Sequence, residues 1–170
     1  MNEKEKKQKQ VQLLQQNLSS IRKIAGWTAE QLGEKIGVTK QTISNLENSK
    51  TSMTLTQYIA IRSVFDYEIE KNQGNTVLPQ VIDILVDKGE KLNEANYSEI
   101  KETVDVVATS ATGGKTGEPL AKIFTSLLAT PNGIRALATL GIMIVQSDIV
   151  TEIATVTATK TSSWLKKILK

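Results

Sequence analysis

Three stretches of this 170-residue chain carry residue types at spacings that could do chemistry. The first is WTAEQLGEKIGVTKQTISNLEN, Trp27 to Asn48. It reads as two short helices joined by a tight turn, the second presenting polar side chains suited to the edges of nucleic-acid bases. The second is Gly113-Gly114-Lys115-Thr116, which looks like the tail of a phosphate-binding loop. Such a loop needs another glycine five residues before Gly114, where this chain has Thr109, and no buried strand precedes it. A flexible connection between helices is expected instead. The third is the set Asp83, Asp87, Glu90 and Glu94, at helical spacing and alternating with Lys88 and Lys91. It reads as a solvated helix face with ion pairs, not an acid–base dyad. The chain has no cysteine and no histidine, which removes disulfides, thiol nucleophiles, histidine bases and the usual zinc ligands together. No catalytic residue, metal site or cofactor is predicted, and no enzyme is expected.

The first stretch carries the punctuation that short helices need. Thr28 with Gln31 three residues on makes a capping box, and Trp27 is placed to staple onto Leu32. Gly37 follows the periodic residues Leu32 and Ile36, where a left-handed cap favours a residue without Cβ. Thr39 can cap the next helix, with Val38 placed to staple onto Ile43. Two capped helices around one glycine make a helix-turn-helix.

These residues resemble the lambda Cro/repressor type of helix-turn-helix, the XRE-like family. The family pattern runs Leu-Thr-Gln-x-x-Leu-Ala, a Gly, Val-Ser/Thr, an Ile-Ser pair and a Glu-Asn-Gly ending. It is met here by Trp27, Thr28, Leu32, Gly37, Val38, Thr39, Ile43, Ser44, Leu46, Glu47 and Asn48, and the likeness covers about residues 14 to 66. The resemblance implies that the second helix lies in the major groove of double-stranded DNA, with Lys40, Gln41, Ser44 and Asn45 as base readers. Lysine donates to guanine O6 and N7, while glutamine and asparagine bond adenine N6 and N7. It also implies phosphate contacts by the helix N-termini with Thr28 and Thr39, and by Lys23, Lys35, Lys50 and Thr51. An arginine on the first helix often bridges to the glutamate that ends the reading helix in this family; here that structural pair would be Arg22 and Glu47. Two departures stand out. Ala29 replaces the usual glutamine, so its phosphate clamp is not carried over. Ser49 replaces the usual glycine, so the loop leaving the helix is expected to differ. A self-cleaving repressor would need a serine–lysine pair in a β-rich carboxyl half, which this chain does not resemble.

The elements that must position these residues also read as helices. Val11, Leu14, Leu18, Ile21 and Ala25 recur at steps of three and four, predicting one amphipathic helix closed by Gly26; the polar residues before Val11 extend it or form a loose arm. Thr54 and Gln57 make a further capping box, and Leu55, Ile59, Val64 and Phe65 are the stripe of the helix that follows. Beyond Gly74, helices are predicted over Val77 to Leu92 and Asn96 to Ala108, and another from Pro119, followed by a turn at Thr130 to Gly133. Ile134 to Val145 is apolar nearly all round, predicting a buried helix or a subunit contact. Residues 150–162 carry mixed strand and helix signals and are read as helix, and the chain ends in a basic amphipathic turn or two. The expected fold is all-α: a polar arm over residues 1–10, a lambda-repressor-like domain over 11–73, and a helical oligomerisation or regulatory domain over 75–170.

Charge distribution follows the same division. Residues 1–50 hold nine Lys and Arg against five acids, whereas residues 72–170 balance ten against ten, so the positive excess sits with the motif, as attraction to phosphate requires. No signal peptide or membrane span is predicted, because the longest apolar run falls short of the ~20 residues a bilayer needs. A cytoplasmic location is expected. The functional expectation is a sequence-specific transcriptional regulator, a repressor binding a two-fold operator as a homodimer held by its carboxyl half. The alternative is an antitoxin or adaptor whose helical carboxyl half binds a regulatory peptide or protein partner.

Overall fold

The computed structural model describes residues 2–142, and the regular structure there is helical throughout, with no strand among the described residues. The fold class is all-α. Its first helix, α1 (Glu3–Ile24), starts earlier than the apolar stripe does. Asn2 accepts from the Glu5 N–H at 2.9 Å while its own N–H donates to the Glu5 carboxylate at 2.8 Å. That capping box, followed by Lys and Gln residues of good helix propensity, makes the polar segment before Val11 helical in place of a loose arm.

α1 is walled on two sides. Leu14, Leu18 and Ile21 are fully buried within the core that also holds Leu32, Ile43 and Leu46 of the next two helices, α2 (Ala29–Ile36) and α3 (Lys40–Glu47). On another side Asn17 donates to the Tyr97 hydroxyl at 2.7 Å and Ser20 to the Asp105 carboxylate at 2.5 Å, both on α6 (Glu94–Thr112). α4 (Leu55–Lys71) closes the first four helices, capped by Thr54 and Gln57 as its sequence predicts. Its buried stripe is Tyr58, Ile61 and Phe65. Leu55, expected inside, is 43% exposed, on the first turn of the helix.

The segment read as one helix over Val77 to Leu92 is divided. α5 (Val77–Ile82) passes into a π-helical turn over Asp83–Asp87, closed by the Lys88 N–H on the Asp83 carbonyl, and then a 3-10 turn over Gly89–Lys91. The wider π turn alters the expected acidic face. Asp83 pairs with Lys88 at 2.5 Å, while Asp87 takes two bonds from Arg62 of α4, at 3.0 and 2.9 Å. Arg62 is only 4% exposed and also reaches Asp66 at 3.2 Å. Asp83 and Asp87 are therefore partly buried in ion pairs, while Glu90 and Glu94 stay exposed as the solvated face expected of them.

α7 (Glu118–Leu128) follows the Gly113–Gly117 connection, and α8 (Pro131–Thr139) completes the described helices. The residues read as a turn at Thr130 to Gly133 are the start of α8: Thr130 accepts from the Gly133 N–H and Pro131 occupies the first turn, where a missing donor is harmless. The apolar run beginning at Ile134 does not continue as one buried helix. Gly141 takes a left-handed turn (φ 72°), Ile134 is 42% exposed, and residues 143–145 lie outside the described part, as do the expectations for 150–162 and the basic end. The buried side chains from Leu14 to Leu140 form one continuous core. Among the described residues no helix is long and apolar enough to cross a membrane.

Candidate nucleic-acid interface

α2 begins with the reciprocal cap predicted for it: the Thr28 N–H donates to Gln31 at 2.8 Å and the Gln31 N–H to Thr28 Oγ1 at 3.1 Å. It ends at Gly37, whose φ of 73° turns the chain so that the Val38 N–H reaches back to the Gly33 carbonyl at 2.9 Å. Thr39 then caps α3 by accepting from the Thr42 N–H at 3.2 Å. Both threonine hydroxyls named as phosphate contacts thus also serve as helix caps.

α3 turns Ile43 and Leu46 inward, where both are fully buried. The four residues expected to read bases stand away from that face: Lys40 and Gln41 are exposed, Ser44 and Asn45 half-buried. They are not independent. Gln41 Nε2 donates to Asn45 Oδ1 at 2.9 Å across one helical turn, and Asn48 Nδ2 donates to the Ser44 carbonyl at 2.8 Å. The amide pair leaves Gln41 with its carbonyl oxygen and Asn45 with its NH2 group facing outward in hydrogen-bonding terms.

The end of α3 is held by two side chains of α1. Arg22 Nε donates to Glu47 Oε1 at 2.5 Å and Nη2 to Oε2 at 3.1 Å, while Nη1 reaches the Trp27 carbonyl at 2.6 Å. Both side chains are 11% exposed, so α1 and α3 are fixed by a bidentate pair largely removed from water. Gln15 adds a clasp that sequence reasoning missed. Its Nε2 donates to the Leu46 carbonyl at 3.0 Å and to the Thr51 carbonyl at 2.7 Å, and its Oε1 accepts from the Met53 N–H at 2.8 Å. The signal available in sequence was its position seven residues before Arg22, on the same side of α1.

Between these anchors Ser49 takes the left-handed conformation (φ 54°), the only non-glycine among the described residues with positive φ. Its N–H bonds the Leu46 carbonyl at 3.1 Å and the Lys50 N–H bonds the Asn45 carbonyl at 2.8 Å, a complete Schellman closure. Serine makes the turn that a glycine favours, at the cost of a Cβ in a crowded region of backbone space.

Of the expected phosphate contacts, Lys50 and Thr51 are exposed on the loop after α3, and Lys23 is half-buried near the end of α1. Lys35 is placed with its Nζ 4.6 Å from the centre of the Trp27 ring, which itself stacks on Phe65 at 5.4 Å. Its charge thus also makes a cation–π contact. Ala29, where the family has glutamine, is half-buried and offers no polar group.

Comparison with known proteins agrees with this geometry. The helix-turn-helix family matches residues 18–72. Antitoxin HipB of Escherichia coli (strain K12) is 44% identical over 41 residues, covering 24% of this chain and 47% of that protein, so the chain spans about half the length of this relative. No solved structure matches. Residues 18–72 therefore match a helix-turn-helix domain of the lambda Cro/repressor, XRE-like type.

Proposed function

We propose that the chain is a sequence-specific transcriptional regulator that acts as a repressor, occupying a two-fold operator in cytoplasmic DNA as a homodimer. The observation that carries this reading is the outward polar face of α3, held in register by Arg22 on Glu47 and by Gln15 on the Leu46 carbonyl and the loop beyond it. A reading helix must present its side chains to the groove in a fixed frame, because phosphate contacts position while base contacts specify. Lys40, Gln41, Ser44 and Asn45 supply the base contacts, and an acceptor on Gln41 beside a donor on Asn45 matches the N6 donor and N7 acceptor of adenine. Lys23, Lys35, Lys50 and Thr51, with the N-termini capped by Thr28 and Thr39, supply the phosphate contacts. One such domain reads few bases, so a second copy on the other half-site is required, and residues 75–170 supply the contact between copies.

Selection from a random DNA library with the purified full chain tests this reading. A palindromic consensus is expected. Gln41→Ala and Asn45→Ala are expected to relax base preference at defined positions by about 1–3 kcal/mol. Lys23→Ala should weaken all sequences alike and lower the salt slope. Equal losses on every sequence from both kinds of change would refute the assigned reading face. A monomer in equilibrium sedimentation at micromolar concentration would refute the dimer.

A second reading is favoured by the likeness to an antitoxin: the carboxyl half binds a partner protein and DNA binding serves that complex. Failure of the library selection to yield a consensus, together with co-purification of the product of a neighbouring reading frame, is the outcome this reading predicts.

A further inference from the structure

α1 is longer than the helix-turn-helix requires: the family match begins at residue 18, whereas the helix begins at Glu3. Lys4, Gln8, Val11, Gln15, Leu18 and Arg22 recur along it at steps of four and three, and so share one stripe. The carboxyl half of that stripe grips the end of the reading helix, through Arg22 on Glu47 and Gln15 on the loop that carries Lys50 and Thr51. The amino half runs on past that loop. Lys7, three residues after Lys4 and four before Val11, flanks the stripe; it lies beyond Gln15 by about 12 Å and Lys4 by about 16 Å along the axis. Lys4 and Gln8 are exposed and Lys7 is half-exposed. Among the described residues neither lysine is ion-paired, and the nearby Glu5 carboxylate is held by the Asn2 N–H.

We propose that this helical spur is an additional phosphate-contacting surface, with Lys4 and Lys7 engaging the DNA backbone beyond the contacts of Lys50 and Thr51. The proposal rests on the DNA-binding reading and extends it. Its partner follows from charge: unpaired ammonium groups in a row, in line with the clasped end of a DNA-reading helix, suit a polyanion. The capped helix also fixes the row before binding, so less ordering cost falls on association than for a loose arm.

The test is a titration of the full chain against its selected duplex from 50 to 200 mM salt, comparing the parent with K4Q/K7Q and with K6Q/K9Q. Lys6 and Lys9 lie on the opposite side of α1. K4Q/K7Q is expected to lower the salt slope by about 1.8, at ~0.9 per phosphate contact, so that the fourfold salt increase costs the parent about 12-fold more affinity than the variant. The loss should be alike on all sequences, K4R/K7R should restore the slope, and K6Q/K9Q should keep the parental slope. A parental slope in K4Q/K7Q, with helix content unchanged by circular dichroism, overturns the spur while leaving the DNA-binding reading standing. An equal drop in K6Q/K9Q overturns it too, because the effect would then be diffuse charge. A parent that binds no duplex overturns the DNA-binding reading itself.

Discussion

Replacing Gln15 by methionine would remove one side chain's hold on the loop after α3 while keeping a straight stem of similar length and helix propensity. Three hydrogen bonds are lost. The bond to the Thr51 carbonyl is exposed and water can replace it, so its loss costs little. Those to the Leu46 carbonyl and from the Met53 N–H are part-buried, and each is worth about 1 kcal/mol net, with a further penalty where the orphaned group stays out of water. The expected destabilisation is about 2–3 kcal/mol, read as a lower urea midpoint at unchanged slope. Hydrogen exchange should localise it, with the Met53 amide losing protection ahead of Ile43 in the middle of α3. A loss under about 0.5 kcal/mol, with the Met53 amide still protected, would refute the clasp.

Glu47→Ala should cost about 3 kcal/mol, because the Arg22 guanidinium is left mostly buried without its carboxylate, whereas Arg22→Met with Glu47→Leu together should cost clearly less; additive losses in a denaturant double-mutant cycle would contradict a coupled pair. Ser49→Gly should raise stability by about 1 kcal/mol, seen as a melting temperature higher by a few degrees, since the left-handed turn then carries no Cβ. Stability should fall at alkaline pH. Burial pushes the Tyr58 phenol well above its ordinary range, against the opposing pull of Arg62, and burial likewise raises Tyr97. The folded state then holds protons that the unfolded chain releases, so the tyrosine contribution is intact below about pH 10 and is lost above it, at up to ~1.4 kcal/mol per pH unit for Tyr58. Tyr58→Phe should flatten that decline in pH-dependent unfolding.

Local chemistry was the legible part of this chain. Thr28 with Gln31, Thr54 with Gln57, and Gly37 announce helix ends through groups within a few residues, and the structure forms each of these caps. The Arg22–Glu47 contact was legible only through resemblance, since 25 residues separate the partners and charge alone does not choose between them. Gln15 was not legible as a clasp, because its partners are backbone groups of a loop whose path depends on the Ser49 turn. The π turn at Asp83–Asp87 was hidden for a related reason: the apolar spacing around it fits an ordinary helix, while the pairing of Asp87 with Arg62 is tertiary. At Thr130 the residues Pro, Asn and Gly suggested a turn, yet the same threonine and proline serve equally as a helix cap and first turn.

The two-sided burial of α1 has a consequence for anyone who would transplant this module. A fragment cut after residue 73 strips from α1 not only α6 but also α5 and the turns that follow it, taking Gly89 away from Leu13 and leaving Asn17 and Ser20 without Tyr97 and Asp105. A fusion that borrows α2 and α3 for another effector therefore has to bring α5 to α6, or repaint that wall with polar residues, before its two parts behave as separate building blocks.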